Sequence, residues 1–95
     1  DVFSGVALES YFRRKFIGEH KYTRIGGWWD RKGENEIDLV CDNEFTGELV
    51  FFEVKRDVSR ISLGDLERKA RVFLAKNPEL QSRKTSFKGL SLRDM

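Results

Sequence analysis

"ELVFFEVK", residues 48–55, is the stretch on which the reading of the fold turns. Side chains of an extended segment alternate between two faces, so Val50, Phe52 and Val54 point one way and Leu49, Phe51, Glu53 and Lys55 the other. The paired phenylalanines read as the middle of a buried strand. Glu53 and Lys55 then place an acid and a base on one face of it. An unpaired buried charge is costly, so this pair needs a reason. Either it is a structural Glu–Lys pair at the solvated end of the strand, or the two side chains belong to a site.

Working outward from that strand, "EIDLVC" (36–41) reads as a strand with Ile37, Leu39 and Cys41 on one face and Glu36, Asp38 and Val40 on the other. "YTRIGGWW" (22–29) is rich in aromatic and β-branched residues and reads as another strand, with Gly26 and Gly27 marking a bulge or a close approach. The turns "DRKGEN" (30–35) and "DNEFTG" (42–47) are short, so the three strands form a meander. Upstream, residues 4–18 read as a helix with Ser4 as its N-cap and Gly18 as its stop. Val2, Val6, Leu8, Phe12, Phe16 and Ile17 fall in one arc of it, and Glu9 and Arg13 fall in the same arc. Downstream, Ser62 caps a second helix with Asp65 at N3, and Leu63, Leu66, Ala70, Phe73 and Leu74 form its apolar stripe. Asn77-Pro78 ends that helix, and "TSFKGLSL" (85–92) reads as a last strand. The order is helix, three strands, helix, strand. A helix between the third and fourth strands permits a parallel crossover, so an α/β fold with a mixed sheet is expected.

At 95 residues the chain is expected to be a single domain, residues 1–95. It opens on Asp1 with residues that already read as helical, which suggests a domain cut from a longer protein. Lys and Arg total 18 against 16 Asp and Glu, but the distribution is uneven: residues 21–55 carry a net charge of −3 and residues 56–95 a net charge of +5. That is either ordinary solvated helix surface or a basic rim beside an acidic site, an arrangement suited to a polyanion held near a metal. The single cysteine, Cys41, cannot form an internal disulfide and reads as a buried thiol. No apolar stretch is long enough to span a membrane and no signal peptide is visible, so the cytoplasm is the expected compartment.

If the meander pairs the second and third strands antiparallel, Asp38, Glu53 and Lys55 can share one side of the sheet. The first helix, packing on that side, would add Glu9. A carboxylate in an apolar stripe is otherwise explained by an ion pair with Arg13 four residues on, or by a misplaced stripe edge. Carboxylates brought close repel unless a cation joins them. Mg2+ suits such a set, because it takes one or two protein carboxylates and keeps waters for substrate phosphates. Lys55 would face the negative charge that develops on a phosphate under attack. No histidine or cysteine cluster argues for zinc.

"EID" (36–38) followed by "FFEVK" (51–55) resembles the motif of the PD-(D/E)XK nuclease superfamily, whose restriction-endonuclease-like core is αβββαβ. The resemblance implies Asp38 and Glu53 as ligands of Mg2+ or Mn2+, the Val54 carbonyl as a further ligand, Lys55 as the catalytic lysine and Glu9 as the first-helix carboxylate. Ile37 stands where that motif carries proline. "GGWWDRKGENEIDLV" (26–40) and "FKGLSLRDM" (87–95) also resemble the C-terminal domain of prokaryotic AAA+-type ATPases. That resemblance implies an N-terminal ATPase outside this chain. No phosphate-binding Gly-Lys-Ser/Thr loop occurs within it.

Two functions are expected on these grounds. The first is a metal-dependent nuclease-like domain that hydrolyses phosphodiesters in nucleic acid. The second is a non-catalytic module of the same fold that binds a protein or nucleic acid for its ATPase; the short chain leaves little room for insertions that build a substrate cleft. A purely structural domain with a fortuitous charge cluster is the third. Trp28 and Trp29 read as core and rim packing rather than base-stacking surfaces. His20 reads as a surface residue, and Glu36 as either a neighbour of Asp38 in the site or one half of an edge salt bridge.

Overall fold

The computed structural model describes residues 5–95, so Ser4 and Val2 lie outside the described residues, as does the side chain of Val6. The elements are α1 (Gly5–Glu19), β1 (Arg24–Trp29), β2 (Glu36–Asn43), β3 (Glu48–Val54), α2 (Leu63–Lys76) and β4 (Lys84–Leu90). Single 3₁₀ turns lie at Val58–Arg60, Pro78–Leu80 and Leu92–Asp94. The strands form one sheet in the order β1-β2-β3-β4. The first three pair antiparallel and β4 runs parallel to β3, so the protein is an α/β fold with an αβββαβ core and a mixed sheet. No helix among the described residues is long and apolar enough to cross a membrane.

The two faces of β3 explain the layering. Val50, Phe52 and Val54 join Leu39 and Cys41 beneath Leu8 and Phe12 of α1. Leu49 and Phe51 join Ile37 beneath Leu66, Ala70 and Phe73 of α2. Each large apolar side chain buried this way contributes roughly 1.5–3 kcal/mol, so both helices are held chiefly by this one strand and its neighbour β2. Aromatic contacts continue on both sides: Phe16 lies over Phe52 with ring centroids 4.9 Å apart, and Phe73 meets Phe51 edge-on at 5.7 Å. Burial pushes the Cys41 thiol up to about 12, so it stays protonated within the α1 layer.

Several expectations are corrected. The first helix does not stop at Gly18; it runs to Glu19, and His20 takes the left-handed conformation at φ 54° while its N–H donates to the Ile17 carbonyl. Ile17 and Leu63, placed on apolar stripes by their azimuths, are 54% and 46% exposed because they sit near helix ends, beyond the reach of the sheet. Ile37, Leu39 and Cys41 do not share a face: Ile37 packs under α2, Leu39 and Cys41 under α1. The cause is a β-bulge. Gly26 pairs with Val40 but Trp28 pairs with Ile37, so Asp38 and Leu39 together face Gly27 and the alternation of β2 slips by one. The irregularity expected near Gly26 and Gly27 is present, but the extra residue lies on β2. Ser62 does cap α2, accepting from the Asp65 N–H at 3.2 Å, and Asn77 ends it.

Two features pin the sheet at opposite ends. At one end the buried Asp42 accepts from Arg83 Nε at 2.8 Å and from Arg24 Nη2 at 2.6 Å, tying β1 and the approach to β4 onto β2. At the other, Gly89 of β4 is aligned with Glu53 of β3, and a Cβ on Gly89 would stand 2.6 Å from Cγ2 of Ile61. The absence of a side chain lets the Ile61–Ser62 segment lie down over the sheet. Ser62 N–H then donates to Glu53 Oε2 at 2.8 Å.

Burial opposes ionisation of Asp42, but the hydrogen bonds and charges of Arg83 and Arg24 outweigh it and hold the carboxyl below its usual range. A lowered folded-state pKa contributes stability above the unfolded value near ~3.9 that is lost as pH falls. Asp42→Asn is therefore expected to be less stable than wild type at neutral pH, with the gap in Tm narrowing as the buffer moves from about pH 6 to about pH 3. A gap independent of pH would refute this assignment. Gly89→Ala is expected to cost about 1–3 kcal/mol in urea unfolding by overpacking against Ile61. Adding Ile61→Ala should make the pair less destabilising than the sum of the single variants, and strict additivity would show that the contact is not the cause.

Candidate functional site

The site residues gather where β2 and β3 splay apart. Register along the β2–β3 ladder ends at Leu39 opposite Phe52, and Asp38 and Glu53 are the next residues on the two strands. There the ladder is replaced by a side-chain bond: Val54 N–H donates to Asp38 Oδ2 at 2.8 Å. The bulge makes this geometry, since regular alternation would have aligned Asp38 with the rest of β2. Gly27 leaves room for it: a Cβ there would lie 3.2 Å from the Asp38 carbonyl oxygen and 3.4 Å from Arg13 Nη2.

Glu53 is 8% exposed and points toward the α2 side, as do Leu49 and Phe51. Its Oε2 accepts the Ser62 N–H, the backbone amide of the α2 N-cap. Lys55 follows at the end of the strand, anchored by its backbone N–H to the Leu90 carbonyl at 3.0 Å, with an exposed side chain. A recess of about 60 Å3 is lined by Asp38, Glu53 and Lys55 together with Glu36, Leu66 and Lys69. Asp38, Lys55 and Glu36 also line a larger cleft of about 840 Å3, to which Glu9, Val54 and the segments around Arg60 and Arg93 contribute. Asp38, Glu53 and Lys55 thus come together, with Val54 at the mouth.

Glu9 is placed differently from the expectation. α1 packs on the face of Phe52 and Val54, opposite Glu53, so Glu9 approaches Asp38 from the other side of the sheet. Burial, followed by the neighbouring charge of Asp38 and more weakly that of Glu36, raises its carboxyl above the ordinary range; Arg13 opposes the rise. Arg13 Nη2 lies 3.5 Å from Glu9 Oε1, so the intrahelical ion pair considered for Glu9 is formed. Its presence does not cancel the field of Asp38, and Glu9 carries both influences. Arg13 Nε is buried without a hydrogen-bond partner among the described residues.

Among the described residues no three Asp, Glu, His or Cys side chains form a group that could hold a metal ion. The three-carboxylate cluster is therefore not assembled, because Glu9 and Glu53 occupy opposite faces. What the fold does bring together is a pair, Asp38 and Glu53. Each has one oxygen on a backbone N–H and a second oxygen that receives no hydrogen bond from a described residue. Two carboxylates and a backbone carbonyl are hard oxygen donors of the number Mg2+ uses.

Lys69, Arg60 and Arg93 were not singled out by motif. Lys69 sits on the flank of α2, ion-paired to Asp65 at 3.3 Å, and nothing in its spacing marks it. For the arginines the positive balance of residues 56–95 was the only signal. Glu36 is exposed and lines both the recess and the cleft rather than closing an edge salt bridge among the described residues. Trp28 packs edge-on against Phe73 at 5.6 Å, whereas Trp29 is 69% exposed and is neither core nor covered rim.

No curated protein and no solved structure matches the chain. A family model does, over residues 2–72, and its description is archaea bacterial proteins of unknown function. The match takes in α1, the three meander strands, the bulge and the first part of α2, which is most of the chain. The protein belongs to this family, DUF234.

Proposed function

We propose that the domain is a metal-dependent phosphodiester hydrolase of the PD-(D/E)XK type acting on nucleic acid, and that it works as the C-terminal part of an AAA+-type ATPase. The observation that carries this reading is the convergence of Asp38, Glu53 and Lys55 on one recess at the end of β3, beside a cleft with a cationic side. Asp38, Glu53 and the Val54 carbonyl would hold Mg2+ or Mn2+. Such an ion supplies Lewis-acid polarisation of a phosphoryl oxygen and lowers the pKa of a bound water. Lys55 makes no ion pair among the described residues, so its ammonium is available to the negative charge that builds on the phosphate. The backbone amides of Val54 and Ser62 orient the two carboxylates and leave one oxygen of each for the ion. Glu9, on the far side of Asp38, would act through the field it exerts there.

A second reading is favoured by the same two hydrogen bonds. Asp38 and Glu53 already satisfy backbone donors, so both have a structural task, and a non-catalytic module that binds a protein or nucleic acid for the ATPase would need nothing more of them. Metal binding separates the two. In the catalytic reading, Mn2+ at about 100 times its Kd stabilises the folded chain by ~2.7 kcal/mol. Asp38→Ala and Glu53→Gln should lose that increment, whereas Lys55→Ala should keep it. Plasmid or single-stranded substrate should be cut by wild type with Mn2+, and neither by Asp38→Ala nor by Lys55→Ala. An unchanged Tm with Mn2+ or Mg2+, together with no cleavage, rejects the catalytic reading; cleavage that persists in both variants marks a contaminant.

A further inference from the structure

The cleft is electrostatically two-sided. Three of its four acidic residues, Glu9, Glu36 and Asp38, come from α1 and β2; the fourth, Asp57, lies in the turn after β3, where its carboxylate accepts from Ser59 and stands in the field of Arg60. Lys55, Arg60 and Arg93 come from the end of β3, the turn after it and the turn after β4, and none of the three makes an ion pair among the described residues. Beyond the acidic side stands Trp29. It is the register partner of Glu36, and since Trp28 belongs to the α2 layer, Trp29 projects from the face that α1 covers. A tryptophan 69% exposed at the end of an edge strand leaves a large aromatic surface in water.

We propose that this end of the sheet binds a single nucleic-acid strand, with its phosphates along Lys55, Arg60 and Arg93 and an unpaired base stacked on Trp29. The inference rests on the phosphodiester reading above and narrows it to single-stranded substrate. A duplex brings two phosphate backbones, and the second would meet the acidic side. A single strand brings one backbone and free base faces, the combination that a basic groove with an aromatic platform recognises.

The test uses the 95-residue chain in EDTA, where binding is read without cleavage. A single strand of about 12 nucleotides and a hairpin duplex of the same sequence are titrated, following tryptophan fluorescence and the anisotropy of labelled strands. The single strand is expected to quench the fluorescence and to bind more tightly than the duplex. Trp29→Ala should lose most of the quenching and weaken binding by roughly 5- to 150-fold. Arg60→Ser with Arg93→Ser should lower the slope of log K against log salt by about 1.4, the value for two phosphate contacts on a single strand. Circular dichroism of each variant checks that the fold is kept. Equal or tighter duplex binding, or binding and quenching unaffected by Trp29→Ala, overturns the proposal. So does an absence of single-strand binding. Mn2+-dependent cutting of duplex plasmid without single-strand affinity would overturn this inference while leaving the hydrolase reading intact; single-strand binding with neither a metal-dependent rise in Tm nor cleavage would support it and reject the hydrolase.

Discussion

β3 is buried on both faces, and most of the architecture follows from that constraint. A strand whose successive residues from Leu49 to Val54 are all removed from water needs a layer on each side. The chain supplies α1 for one and α2 for the other. It also needs a neighbour on each edge for its backbone polar groups, which β2 and β4 provide. The consequence at its C-terminal end is chemical. Glu53 still lies within the buried stretch, so its carboxylate must be hydrogen-bonded where it stands. The amide at the start of α2 does this, and Gly89, aligned with Glu53, leaves the space that the preceding Ile61 occupies.

The bulge in β2 is the second determinant, and it operates on the first. Without the extra residue at Asp38–Leu39, β2 would continue its ladder with β3 and the backbone N–H of Val54 would seek a main-chain carbonyl. With it, the Asp38 side chain takes that N–H, and Asp38, Glu53 and Lys55 line a recess beside Leu66 and Lys69 of α2. Bulges that re-aim a side chain beside a site recur among sheet proteins for this reason. The same slip moves Ile37 to the α2 layer, so packing and site geometry are set by one residue count. At the far end, Asp42 with Arg24 and Arg83 closes the sheet by a buried charge-assisted network that has no part in the recess.

Charge is arranged across the site in a way the overall balance of +2 conceals. Three of the cleft's four acids arrive on α1 and β2 and its cations on the segments after β3 and β4, where Asp57 is the one acid that lines it. An anion approaching from solvent is therefore drawn to one side and turned away from the other, which gives it an orientation before any contact is made. Glu9 shows the cost of this layout. Half-buried and facing Asp38, it is harder to ionise than an ordinary glutamate even with Arg13 beside it.

The element order, the mixed sheet, the caps of α2 and the two-faced burial of β3 were legible in the sequence, because each rests on local periodicity or on side chains within a few residues of one another. That Asp38, Glu53 and Lys55 come near one another at the ends of β2 and β3 was legible too, since antiparallel pairing through a short turn leaves few registers, but how Asp38 is aimed follows from the bulge. Three things were decided only in three dimensions. A bulge does not change composition, so the face of Ile37 could not be read from alternation. Azimuth on a helix fixes which side chains share a stripe but not which sheet face receives it, so Glu9 was assigned to the side of Glu53 and lies on the other. Exposure of Trp29 depends on where α1 stops covering the edge strand, a matter of packing over distance that adjacent residues do not encode.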